Sequence, residues 1–207
     1  MSTTLDTPKA RADATRARIE ETAERLFRTM GYQKTAVADI ARELGMSPAN
    51  VYRFFPSKSA INEAIAARML DAMGQELEAI ARGPGTASDR LRRLLSATFE
   101  QKIASFFAER RLHDMVTAAI QEHWGVIQRH LDLVRGAIRH IIEDGVASGE
   151  FASTDPEGDA FVVMHSVAAW NHPALLETCI LRKGQSIEEL RAQVAAMTDF
   201  VLRALRA

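Results

Sequence analysis

The sequence predicts an all-α chain in two parts, a small helical head and a larger helical body. Three observations predict it. Apolar residues recur at helical spacing in nearly every window, and no window shows sustained strand alternation. Glycine and proline are scarce, 11 and 6 among 207 residues, too few for the tight turns of an all-β protein. Gly83-Pro84-Gly85 is the clearest break in the pattern. It divides a head at about 12–60, extended by a connecting helix to about 81, from a body at 84–207.

The elements follow in order, about nine helices in all. Residues 1–11 read as a loose arm. The first helix, about 13–30, places Ile19, Ala23, Leu26, Phe27 and Met30 on one face, and Gly31 ends it. Thr35 caps a short second helix at about 36–44, with Val37, Ile40, Ala41 and Leu44 inward. Ser47-Pro48, an N-cap followed by proline, opens a third at about 48–54. Ser57 starts a long fourth helix to about 81, whose inward residues run from Ile61 to Ile80.

Beyond the linker, a helix opens near Ser88 and runs to about 110. Shorter and longer helices follow at about 112–123 and up to about 148. Asp155-Pro156 repeats the cap-plus-proline signal. It opens a helix at about 156–182 that is apolar on nearly every side from Phe161 to Trp170, the mark of a buried helix. Pro173 kinks or breaks it. Ser186 with Glu189 forms a capping box for the last helix, to about 205.

Composition narrows the function. The chain is 47% apolar and 26% charged, which suits a folded globular protein. Residues 1–60 hold ten Lys and Arg against seven Asp and Glu, and the remainder holds sixteen against twenty. A mildly basic head on an acidic body points to a polyanion partner for the head. The polar N-terminus lacks a signal-peptide core, and the longest apolar stretch is about half a membrane span. A cytoplasmic protein with no membrane partner is expected. Cys179 is the single cysteine, so no intrachain disulfide forms, and a buried apolar thiol is expected.

Thr35 to Lys58, TAVADIARELGMSPANVYRFFPSK, has the length and turn residues of a helix-turn-helix. Ala41 lets the two helices cross closely, Gly45 permits the turn, and Val51 packs back onto Ile40 and Leu44. Ala49, Asn50 and Arg53 are left on the outer face, free to enter a major groove. Phe55 belongs in the core, and Arg16 and Arg18 on the solvated surface, with a phosphate clamp the open alternative for either arginine.

The wider segment RLFRTMGYQKTAVADIARELGMSPANVYRFFPSKSAI, residues 25–61, resembles the TetR family of bacterial transcriptional regulators. Residues 84–207 match that family only in being helical and of suitable length. The resemblance implies that Tyr52 contacts a phosphate or a base methyl, and that Lys58 and Thr35 contact phosphates. Ala49, Asn50 and Arg53 would then face base edges, with Asn suited to adenine and Arg to guanine. Ala38 departs from the basic residue that some members carry there. The implied protein is a homodimer on palindromic double-stranded operator DNA, a repressor released by a small apolar or amphipathic effector whose identity the residues leave open.

In the body, aromatic and Met residues together with a few polar groups suggest a pocket formed by Phe99, Phe106, Met115, Trp124, His165, Trp170 and Asn171. Ile187, Leu190, Val194, Met197 and Val201 repeat at spacings of three and four, a seam suited either to an intrachain core or to a dimer interface. Together with the helix at about 156–182, that seam from each of two chains would form a four-helix interface, as the family resemblance also implies. Five histidines fall on helices with no two of them three or four apart, so neither metal nor cofactor is expected. No phosphate loop, nucleophile elbow or HExxH occurs, and no catalytic residue is assigned. The competing reading is a helical small-molecule-binding protein or enzyme with an incidental helix-turn-helix. Steep loss of DNA binding with salt separates the two.

Overall fold

The computed structural model describes residues 7–108 and 125–206, with side chains in the first stretch as far as Ala104. All regular structure among them is helical: α1 Pro8–Met30, α2 Val37–Glu43, α3 Pro48–Tyr52, α4 Lys58–Ala81, α5 Ala87–Ala108, α6 Gly125–Ala147, α7 Pro156–Ser166, α8 Ala168–Asn171, α9 Pro173–Glu177 and α10 Ile187–Arg206. A π-helical turn, Thr178–Arg182, continues α9. The helix expected at 112–123 lies outside the described residues. No described helix is long and apolar enough to cross a membrane.

The head is closed by α1 to α3 and the first half of α4. α1 starts five residues earlier than expected. Thr7 accepts a hydrogen bond from the Ala10 amide and Pro8 occupies the first turn, so residues 7–11 are helix start and not loose arm. Gly31, at φ 94°, stops the helix where an L side chain would be strained. α2 is capped one residue later than expected. The Asp39 carboxylate accepts from the Ala36 amide at 2.9 Å, and that bond, aided by Arg42, lowers its pKa. α3 is two residues shorter than expected, with Ser47 accepting from the Asn50 amide. Phe27, Ile40, Val51, Phe55, Ile61 and Ile65 form the head core.

The body packs α5, α6, α7 and α10 around the second half of α4, with Leu77, Leu91, Leu94, Ile138, Ile141 and Leu202 at its centre. α5 opens under two acceptors. Thr86 takes the Asp89 amide, and Glu150, arriving from the turn after α6, takes those of Ala87 and Ser88 at 2.7 and 3.0 Å. Arg90, 8% exposed, donates to the Ala81 carbonyl and to Asp144, which ties the ends of α4, α5 and α6 together. Asp144 is held below the usual carboxylate range by that guanidinium.

Two expectations for the body are corrected. The helix at 156–182 is not continuous to Pro173, because it already breaks at Val167. The His165 ring engages the Phe161 carbonyl at 2.8 Å and the Ser166 hydroxyl donates to the Val163 carbonyl, side-chain bonds that compete with the helical ladder. Nor is the helix buried on all sides, since Phe161 and Val162 are exposed.

The second correction concerns α10, whose start is the reciprocal Ser186/Glu189 pair as expected. Its seam faces the chain's own core. Leu190 and Val194 are buried with Phe99, Ile103, Leu176 and Cys179, and Val201 joins the main cluster. Ile187 and Met197 are partly buried against the same clusters. These five residues are taken by intrachain packing, with α5 further bound to α10 by Glu100–Arg191 and Arg92–Asp199.

Candidate nucleic-acid interface and ligand cavity

α3 is only five residues long, and packing fixes its orientation. Val51 and Phe55 are buried on its inner side. Ala49, Tyr52 and Arg53 are exposed on the other, while Asn50 is half-buried with its amide donating to the Met46 sulfur at 3.9 Å. Arg16 does more than sit on the surface. Its guanidinium lies 4.1 Å over the Phe55 ring and donates to the Phe54 carbonyl at the end of α3.

Thr35 is placed differently from expectation. It is 1% exposed, its hydroxyl donates to the Gly31 carbonyl at 2.9 Å, and its amide bonds the same carbonyl. With its hydrogen-bonding groups turned inward, its side chain braces the α1–α2 turn and does not reach for phosphate. Lys58 is also engaged. Its ammonium donates to the carbonyls of Tyr32 and Thr35 at 2.9 and 3.1 Å and lies 4.4 Å over the Tyr32 ring. The first residue of α4 thereby locks to the turn before α2. Lys34, exposed beside Tyr52 and Lys58 in one shallow depression, is a charge that sequence reasoning passed over.

The body holds a cavity of about 420 Å³ between α4, α5, α6 and the α7–α9 run, within the range of ligand pockets. Its described wall is aliphatic, with Leu70, Leu95, Ile127, Leu131, Val134 and Met164 among it. Of the expected pocket residues, His165 and Asn171 line it. Phe99 does not, being buried in the second core cluster. Trp170 packs against both clusters and donates to Gln193 at 3.1 Å. Phe106's side chain, Met115 and Trp124 lie outside the described residues.

Lys102 and His130 also line the cavity and were missed. Both are polar residues on otherwise apolar helix faces, Lys102 beside Phe99 and Ile103, His130 beside Ile127 and Val134. That was the available signal. Burial lowers the Lys102 pKa. His130, 9% exposed, is lowered from 6.5 to about 4, chiefly by burial and then by the charge of Lys102. The Leu70 carbonyl and Asp71 pull the other way.

The unfolded chain therefore binds the His130 proton more readily than the folded one. The contribution of this one group is expected in full above pH 6.5 and is lost as pH falls toward 4, on the order of 3 kcal/mol in all. His130→Gln should shrink the difference in urea midpoint between pH 7 and pH 4.5. An undiminished difference would place the pH sensitivity on other groups.

A third feature is an apolar surface. Phe161 and Val162 of α7 and Phe200 of α10 are 50%, 63% and 60% exposed. Val162 and Phe200 flank one groove with Ala204.

Two family models match the chain. Residues 19–65 match bacterial regulatory proteins of the tetR family, and residues 87–195 match the tetracyclin repressor-like C-terminal domain. An uncharacterized HTH-type transcriptional regulator of Bacillus subtilis (strain 168), YhgD, is 28% identical over 151 residues, 70% of this chain and 76% of that protein. A TetR-family regulator from Pectobacterium atrosepticum superposes with a TM-score of 0.70 at 22% identity, over 96% of this chain and 97% of that one. SmeT, repressor of the multidrug efflux pump SmeDEF of Stenotrophomonas maltophilia, does so at 0.64 and 20% identity, over 93% and 91%. The matched head and body together place this chain in the TetR family: it is a DNA-binding transcriptional regulator of a dimer-forming, non-enzymatic family.

Proposed function

We propose that this regulator is a homodimeric repressor of a palindromic operator, released by a small effector in the α4–α5–α6 cavity. The head, about residues 8–60, reads DNA, and the body from 84 onward binds the effector and the partner copy. Base readout falls to Asn50 and Arg53, with Ala49 against the groove wall. Tyr52 and Lys34 meet the DNA backbone, and Lys58 acts there through the turn it anchors. The second copy covers Val162 and Phe200 and the exposed Phe161 beside them in sequence, since exposed apolar groups mark an interaction surface.

One observation carries the reading. A single helix, α4, grips the head through Lys58 and lines the cavity through Leu70. An effector that favours one setting of α4 thus favours one spacing of the two heads, which is a population shift.

The test starts from a duplex selected in vitro by the full chain. On it, Asn50→Ala and Arg53→Ala should each cost roughly 1–3 kcal/mol and relax preference at one position. Lys58→Ala should weaken all duplexes alike. Sequence-independent losses in all three variants would remove Asn50 and Arg53 from readout.

A further inference from the structure

The described cavity wall is chemically lopsided. Its apolar part is aliphatic, with no phenyl or indole ring among the described lining residues. Its polar residues lie on two sides, Thr98, Gln101, Lys102 and His130 where α5 meets α6, and His165, Asn171 and His172 on the α7–α9 run. Lys102 is half-buried in that lining, and among the described residues no hydrogen bond or ion pair to its ammonium is seen. His130 Nδ1 is buried without a partner as well. The nearest acidic groups are otherwise placed: Glu76 accepts from Gln101 at 2.8 Å, and Asp71 is exposed on α4.

Natural interiors rarely leave a cation and an imidazole edge unanswered, because each such group costs free energy unless something compensates it. Asn171 Oδ1 on the far wall is buried without a partner as well, but it is an acceptor, and the two groups that can donate to an anion lie together at Lys102 and His130. We propose that the cavity takes an aliphatic carboxylate, a linear acyl chain against Leu70, Leu95, Ile127 and Val134 with its carboxylate on Lys102 and His130.

The proposal rests on the cavity being the effector site. An anion entering it offsets, by its own charge, the burial that disfavours both cations. Lys102 then donates to the carboxylate, and His130 binds a proton and donates through Nδ1. Burial that penalises the empty site strengthens the filled one, since charge-assisted hydrogen bonds are strongest where water is excluded.

Calorimetric titration of the full chain with dodecanoate and with dodecanol tests this. Dodecanoate should bind at least about tenfold more tightly, the usual scale for a charged hydrogen bond. Lys102→Met keeps the side-chain length and removes the charge. It should bind the two ligands equally and unfold at a higher temperature than the parent without ligand, having lost a desolvated charge. Equal binding of the two ligands by the parent overturns the proposal, as does no binding of either. A Lys102→Met variant that keeps the preference also overturns it. Duplex retention followed in the same titrations separates the two readings. Dodecanoate that binds with the expected preference yet leaves DNA affinity unchanged supports this ligand class and overturns the regulatory role of the cavity.

Discussion

Phe200→Asp is expected to give a folded monomer, and Val194→Asp an unfolded body. The two positions lie six residues apart on α10 and differ in what covers them. Val194 is 4% exposed among Phe99, Ile103 and Leu190. An uncompensated charge there costs about 3–5 kcal/mol, a large part of the stability of an ordinary domain. Phe200 is 60% exposed and flanks one groove with Val162, so an aspartate there is solvated until a second copy tries to cover it. Sedimentation and circular dichroism on both variants distinguish the cases. A dimeric Phe200→Asp moves the interface elsewhere, and a folded, monomeric Val194→Asp returns it to the inner seam.

Gly145→Ala is expected to destabilise the body, and Gly136→Ala in the same helix to stabilise it. Alanine is the better helix former by about 1 kcal/mol at both positions. At Gly136 nothing among the described residues lies within 4 Å of the added methyl, so that preference meets no clash there. At Gly145 the methyl would sit 2.1 Å from the Phe151 ring, itself 4% exposed in the core. Overpacking of this kind costs about 1–3 kcal/mol. The damage spreads, because the Gly145 carbonyl receives the amides of Glu150 and Phe151 and so sets the turn that delivers Glu150 to the start of α5. Urea unfolding of the pair measures the contrast. Equal shifts for both would mean that Phe151 yields without cost.

Local chemistry was the legible part of this fold. Ser47-Pro48, Asp155-Pro156 and Ser186 with Glu189 each mark a helix start that the hydrogen bonds reproduce. Thr7-Pro8 is the same signal, hidden by the polar residues around it. Periodicity tells which face of a helix needs cover, and it carries no record of what supplies it. That is why the α10 seam was assigned to a partner chain. The break at Val167 has neither proline nor glycine to announce it and depends on where the His165 and Ser166 side chains turn. The head motif could be read because its spacing is local. Lys102 and His130 face one cavity only after α5 and α6 pack, so no stretch of sequence shows them together.

The grip of Lys58 on the carbonyls of Tyr32 and Thr35 makes α4 a stiff lever. From Leu70 to Lys58 is twelve residues of helix, about 18 Å of arm at the usual rise. A tilt of roughly 6° at the cavity end would carry the far end about 2 Å. With the α1–α2 turn fastened to that end, α3 must travel with the arm and cannot lag behind it. Two arms swinging in opposite senses across a twofold axis would add their displacements, about 4 Å between reading heads. Loosening the fastening, with cavity and base-reading face intact, would leave a protein that senses its ligand and keeps its sequence preference, grips every duplex more weakly and transmits little between the two.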